Sequence, residues 1–140
     1  MTEWFLSGGA GQILTALLLG GMVFFSFVLT PVAFSRMEPA AGSAVIRAIF
    51  PVYTRVMAAL SILASLLVAG TADALALAIV GGVFVAVLMI LRPRIARARE
   101  ERDRGDFAAE KRFRFLHSAS VVINLGQIAA VAVVFVRLTA

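Results

Sequence analysis

Four long stretches of this chain contain no Asp, Glu, Lys or Arg, and each of them is strongly apolar. Crossing a hydrocarbon core of roughly 30 Å takes about 20 helical residues. The pattern therefore predicts four membrane-spanning helices within a single membrane domain, residues 1–140, at about residues 12–34, 51–69, 74–91 and 118–136.

Composition supports a bilayer as the solvent of this protein. Hydrophobic residues make up 61% of the chain and charged residues 15%, far from the usual soluble mixture of about half and a quarter. The first apolar stretch is longer than the core of a typical signal peptide and has no Lys or Arg before it, so we expect it to be retained as a helix. The predicted fold class is an all-α integral membrane protein, a four-transmembrane-helix bundle.

The positive charges are concentrated in one loop. Nine of the 13 Lys and Arg residues lie in residues 92–114, and Arg36 and Arg47 lie in the loop between spans one and two. Such an excess could indicate nucleic acid, but its place beside a membrane span is typical of a cytoplasmic loop. The sequence predicts both termini outside the cytoplasm, in the inner membrane if the cell is bacterial, and no nucleic acid as a partner.

The basic loop also carries opposite charges four residues apart, which favours helix. Gly105 and Asp106 are suited to end one helix and cap the next, so we expect a helical hairpin. The opposite charges form four pairs: Arg97 with Glu101, Arg99 with Asp103, Glu100 with Arg104, and Glu110 with Arg114.

The loop before span two contains residues that interrupt helices. Pro39 and Gly42 predict a break, and Ser43 could cap a short helix over residues 44–49. Pro51 is then expected in the first turn of span two.

Small residues indicate where helices approach closely in lipid. In span three, Ala74, Ala78, Gly82 and Ala86 follow each other at four-residue intervals and predict an interface. LLLGGMVFFSFVLTP in span one is similar to AIVGGVFVAVLMILRP in span three. This similarity is compatible with two parallel helical-hairpin repeats and equally with chance, since Gly and Pro are frequent in membrane helices.

Polar residues inside a span are costly unless they are paired, so they are candidates for function. Tyr53 and Arg55 in span two, and Ser26 in span one, lie at a depth that matches a polar face of span four. That face consists of His117, Ser120, Asn124 and Gln127, which are separated by three, four and three residues. Together these residues predict a polar binding cluster near the cytoplasmic side. The alternative is that the amides only join helices and that Arg55 extends to the headgroups.

The candidate chemistry is limited. The chain has no cysteine, and one histidine is a poor metal site, so we expect no cofactor. Haem needs only one protein ligand, so His117 leaves a haem-binding redox protein as an alternative. No catalytic set is apparent, and we expect a non-enzymatic protein that binds or passes a small solute, ion or proton. A third alternative is an accessory subunit that forms a homo-oligomer or binds a partner membrane protein.

Two short motifs give a family resemblance. FPVY at residues 50–53 and FRFLHSASVVIN at residues 113–124 resemble the transmembrane-protein-205-like family of small four-helix membrane proteins. More remotely, the plan is similar to the copper-resistance-D group. The resemblance implies the same four-span arrangement and an importance for Phe50, Pro51, Tyr53, His117, Ser120 and Asn124.

Overall fold

A computed structural model describes residues 2–4 and 8–140 of the chain. A short helical turn, Thr2–Trp4, precedes four long helices. Each of the four is long and apolar enough to cross a membrane, which confirms the predicted all-α integral membrane fold. These helices are α1 (Ala10–Arg36), α2 (Pro39–Leu67), α3 (Thr71–Asp103) and α4 (Phe107–Thr139).

The four helices form an up-and-down bundle in which neighbours are antiparallel. α1 packs against α2 and α4, and α3 packs against the same two helices, so α1 and α3 run in the same direction. We call the end with the α3–α4 turn the hairpin end, and the end with Gly70 and Ala140 the opposite end. Leu18, Met22, Leu77 and Val131 are fully buried between the helices.

α1 and α3 share a local distortion. Residues Phe25–Leu29 and Val87–Leu91 each form a wider π-helical turn, closed by bonds from Thr30 N–H to Phe25 O and from Arg92 N–H to Val87 O. A proline follows two residues after each turn, and a proline ring clashes with the carbonyl four residues before it. The wider turn before each proline can relieve this clash. The similarity of the two segments therefore extends from sequence to backbone geometry.

The expected separate short helix over residues 44–49 is wrong, because these residues form part of α2. The helix runs without interruption from Pro39, where an extended Glu38 sets its start, through Pro51 to Leu67. The Thr54 hydroxyl donates to the Phe50 carbonyl at 2.7 Å, within the turn that contains Pro51. Gly42 does not break the helix. A Cβ there would lie 2.5 Å from the Ala33 carbonyl oxygen, so this glycine allows α1 and α2 to cross closely.

The predicted interface on α3 is also corrected. Gly82 and Ala86 are exposed, and nothing lies within 4 Å of a Cβ built on Gly82. Gly81 is the buried glycine, because a Cβ there would lie 3.0 Å from Ile62 Cγ1 and 3.2 Å from Ser61 Cβ. Small residues correctly predicted that α3 packs closely against another helix, but the series at four-residue intervals lies on the neighbouring face of α3. The buried face of α3 is instead lined by Asp73, Leu77, Val80, Gly81 and Phe84.

The α3–α4 hairpin forms as the sequence predicts at its turn. Gly105 has φ +93°, which favours glycine, and the Asp106 carboxylate accepts from Ala108 N–H at 2.9 Å as the cap of α4. Within residues 8–140, none of the four expected i,i+4 charge pairs forms an ion pair shorter than 4.0 Å. Two ion pairs cross the hairpin instead, Arg112 with Glu101 at 2.6 Å and Arg102 with Glu110 at 3.7 Å.

Candidate functional site

Polar side chains of α4 connect it to each of the other three helices. Asn124 Oδ1 accepts from the Tyr53 hydroxyl of α2 at 3.2 Å, and Asn124 Nδ2 donates to Ser26 Oγ of α1 at 2.7 Å. Gln127 Nε2 donates to the Val80 carbonyl of α3 at 3.1 Å. Two amide side chains on one helical face therefore lie at the centre of the bundle's polar contacts.

Aromatic rings hold the Tyr53 hydroxyl in place. The Tyr53 ring stacks on Phe25 with a centroid distance of 4.0 Å and an angle of 11°. Phe84 meets it edge-on at 6.1 Å, and Phe50 packs at 6.3 Å. Because α1 and α3 contribute rings in addition to α2 itself, the tyrosine has little freedom to turn its hydroxyl away from Asn124.

A small cavity lies beside this network, between α2, α3 and α4. Its volume is about 20 Å³. A cavity of about 10–15 Å³ by this measure has room for one water molecule, so this space is large enough for a single water. Most of the cavity surface is apolar. Its walls are formed by Phe50, Tyr53, Thr54, Phe84, Val87, Ser120, Asn124 and Gln127.

The cavity has unused hydrogen-bonding capacity. Within residues 8–140, Gln127 forms a hydrogen bond through its Nε2, and the side-chain hydrogen bonds include none to Gln127 Oε1 and none to or from Ser120 Oγ. The Thr54 hydroxyl donates to Phe50 and can still accept. A water needs two to four polar partners, and these groups can supply them without breaking an existing bond.

His117 and Arg55 lie outside the cavity. His117 is exposed and stacks on Phe113 at a centroid distance of 5.9 Å, and Arg55 is exposed on α2. Of the six predicted site residues, the structure brings four together: Tyr53, Ser120, Asn124 and Gln127. A haem bound by His117 would have to lie on the outer surface of α4, because the cavity is far too small for it.

No carboxylate lines the cavity, and in the described part of the chain no group of three or more His, Asp or Glu side chains could hold a metal ion. Beside the apolar side chains of Phe50, Phe84 and Val87, the polar groups of the cavity walls are hydroxyls and amides. Such groups suit water, a hydrated proton or a small neutral polar molecule better than a bare divalent cation, which prefers carboxylates.

Sequence reasoning missed the walls supplied by α3. Phe84 and Val87 are apolar residues in an apolar span, so the sequence gives no signal that distinguishes them. It also missed two buried polar residues nearer the opposite end. Ser61 is fully buried and its Oγ has no partner, while Asp73 is 8% exposed and lies 3.4 Å from Arg137 Nε. Asp73 had a detectable signal, since it is an acid directly at the start of an apolar span.

Comparison with known proteins gives one family match. A family model described as "Domain of unknown function (DUF4149)" matches residues 13–104, which cover α1, α2 and α3. No curated protein and no solved structure matches the chain. The match includes the FPVY motif and ends before the polar face of α4.

Proposed function

This chain belongs to the DUF4149 family, and from the geometry of its site we propose that it binds and passes a small polar species of about the size of water. The species is water, a proton carried by water, or a neutral molecule of similar size. The binding site is the cavity beside Tyr53, Ser120, Asn124 and Gln127.

One observation carries this proposal. A space of about 20 Å³ adjoins hydroxyl and amide oxygens that have no partner of their own. Groups that only joined helices would be expected to satisfy each other, as Asn124 does with Tyr53 and Ser26. The hydrogen-bonding groups of Ser120 and Gln127 that lack a protein partner instead support a bound small polar molecule.

His117 fits this proposal as an entrance residue. It lies three residues before Ser120 on α4, about 4.5 Å nearer the hairpin end. An exposed imidazole has two ring nitrogens that can donate and accept hydrogen bonds with water. Passage beyond the cavity requires the bundle to widen, since a single water fills the present space.

A pair of matched substitutions on α4 tests the proposal. Ser120→Val places extra methyl groups in the cavity and breaks no hydrogen bond within the protein. Ser118→Val makes the same change on the exposed side of the same helix. Purified protein is reconstituted into liposomes, with proton entry followed by a trapped pH dye and water entry by light scattering.

We expect wild-type and Ser118→Val liposomes to be more permeable than empty ones, and Ser120→Val liposomes to resemble empty ones. Wild-type liposomes that match empty ones in both assays would overturn the proposal. Equal permeability of Ser120→Val and wild type would move the route away from this cavity.

An accessory role is a second candidate. Ala78, Gly82 and Ala86 form an exposed strip of small residues on α3, which permits close approach by another membrane helix. The partner would be a second copy of the chain or another membrane protein. Light scattering of purified protein tests the first option, since Gly82→Leu should lower the mass of an oligomer built on this strip.

We also infer the orientation of the protein in the membrane and its relationship to a second family. The excess of arginine at the hairpin end supports a cytoplasmic hairpin with both termini on the other side of the membrane, which in a bacterium is the inner membrane. The FPVY motif and the His-x-x-Ser-x-x-x-Asn motif, residues 117–124, support kinship with the transmembrane-protein-205-like family.

A further inference from the structure

The charges of the α3–α4 hairpin differ between its tip and its base. The tip, residues 100–112, contains five acids and four cations. Arg102 pairs there with Asp103 at 3.0 Å and with Glu110 at 3.7 Å, and Arg112 pairs with Glu101 and Asp106. The tip therefore neutralises its own charge.

The base of the hairpin has cations and no acid. Residues 92–99 and 113–114 contain no Asp or Glu, and within residues 8–140 their arginines form no ion pair. The positive charge of Arg47 on α2 acts on Arg99, and Asp103 offsets part of this repulsion. A cluster of cations that outnumbers the nearby acids favours an anionic ligand. The base consists of Arg92, Arg94, Arg97, Arg99 and Arg114.

From the end of the apolar part of α3, we expect the base at the depth of lipid phosphates. The apolar part of α3 ends at Leu91, and the segment from Arg92 to Arg97 rises by about 8 Å. The headgroup layer of one leaflet is about 5–8 Å thick. Arg92, Arg94 and Arg97 are exposed, so their guanidinium groups can reach the surrounding lipid.

We propose that the arginines at the hairpin base bind the phosphate groups of anionic phospholipids in the leaflet where the hairpin emerges. Guanidinium groups match phosphate oxygens in geometry as well as charge. The acyl chains of such a lipid would lie along the exposed apolar residues just below, Met89 and Ile90. This inference is independent of the cavity.

Two double variants with the same change of net charge test this binding. Arg94→Gln with Arg97→Gln changes the base, and Arg104→Gln with Lys111→Gln changes the tip. All four side chains are exposed and none forms an ion pair within residues 8–140, so both variants should fold. Native mass spectrometry of full-length protein in neutral detergent, titrated with phosphatidylglycerol or phosphatidylcholine, gives the apparent Kd of each lipid.

We expect wild type and the tip variant to prefer phosphatidylglycerol. The base variant should bind it more weakly by about fivefold for each arginine, on the order of 25-fold together. Equal losses in both variants, or no preference in wild type, would overturn the proposal. Inorganic phosphate is the third probe, and displacement of phosphatidylglycerol by an equal concentration of it would identify free phosphate as the ligand instead.

Discussion

Asn124 uses both ends of its amide to form hydrogen bonds with two other helices. Its oxygen accepts from Tyr53 and its nitrogen donates to Ser26, so one residue of α4 contacts both α2 and α1. Interhelical hydrogen bonds in membranes contribute about 0.6 kcal/mol on average, because the unfolded chain also finds partners in lipid. The value of such a residue lies in fixing which helix faces meet.

A double-mutant cycle between Tyr53 and Asn124 measures this contact. Tyr53→Phe and Asn124→Ala should each lower the free energy of unfolding by about 0.5–2 kcal/mol. The double variant should lose less than their sum by at least about 0.5 kcal/mol, because both single changes break the same bond. Unfolding in a titration with denaturing detergent provides the measurement.

The control for this cycle is Gln12, whose side chain donates to the Leu138 carbonyl at the opposite end of the bundle. Tyr53→Phe and Gln12→Ala should be additive within about 0.5 kcal/mol. Additivity of Tyr53→Phe with Asn124→Ala as well would mean that the 3.2 Å contact does not persist in the bilayer.

At the scale of elements, α3 shows how a one-residue shift changes the packed face. Gly81 and Gly82 are adjacent in sequence, and neighbouring positions on a helix are separated by about 100°. Gly81 faces Ser61 and Ile62 of α2, while Gly82 faces outward. A regular series of small residues can therefore mark the lipid side of a helix as easily as its interface.

We predict that Gly81→Leu lowers the stability of the bundle far more than Gly82→Leu. A leucine at 81 would meet Ser61 Cβ and the Ala58 carbonyl as well as a flexible isoleucine, and overpacking typically costs about 1–3 kcal/mol or more. Thermal unfolding of the purified variants checks this order. Greater damage from Gly82→Leu would restore the interface that the sequence alone predicts.

The number of spans and the hairpin turn could be predicted from the sequence because each depends on local chemistry. Apolar length sets the spans, and Gly105 and Asp106 set the turn. The start of α2 could not be predicted from the sequence. Whether Pro39 begins a helix or breaks one depends on how Gly42 packs against Ala33. A sequence prediction is only partly correct where the same residue is compatible with two different tertiary arrangements.

The candidate site could also be predicted only in part. Tyr53, Ser120, Asn124 and Gln127 share a cavity because polar groups in lipid converge on each other. His117 was placed on the same face, but at the membrane surface an imidazole can remain in water and stacks on Phe113. The aromatic walls around the cavity were not predictable, because nothing in an apolar span identifies which phenylalanine faces inward.

For the whole molecule, the distribution of arginine predicts its orientation. The chain has no cysteine, so single engineered cysteines report sidedness cleanly. An impermeant thiol reagent applied to intact cells should label Ala69→Cys and Thr139→Cys, both exposed at the opposite end, and should not label Ala108→Cys in the hairpin. Labelling of Ala108→Cys alone would mean that the orientation is the reverse of the one inferred. Labelling at both ends would contradict the four-span arrangement.

The hydrogen bonds of α4 have a consequence for biosynthesis. Until the last helix leaves the ribosome and enters the bilayer, the hydroxyls of Tyr53 and Ser26 face a slot that the fourth helix has not yet filled. A chain that has been synthesised only as far as Asp103 therefore lacks the partner of both hydroxyls. Because unpaired polar groups are costly in lipid, insertion of the segment that carries Asn124 removes this cost from the three earlier helices.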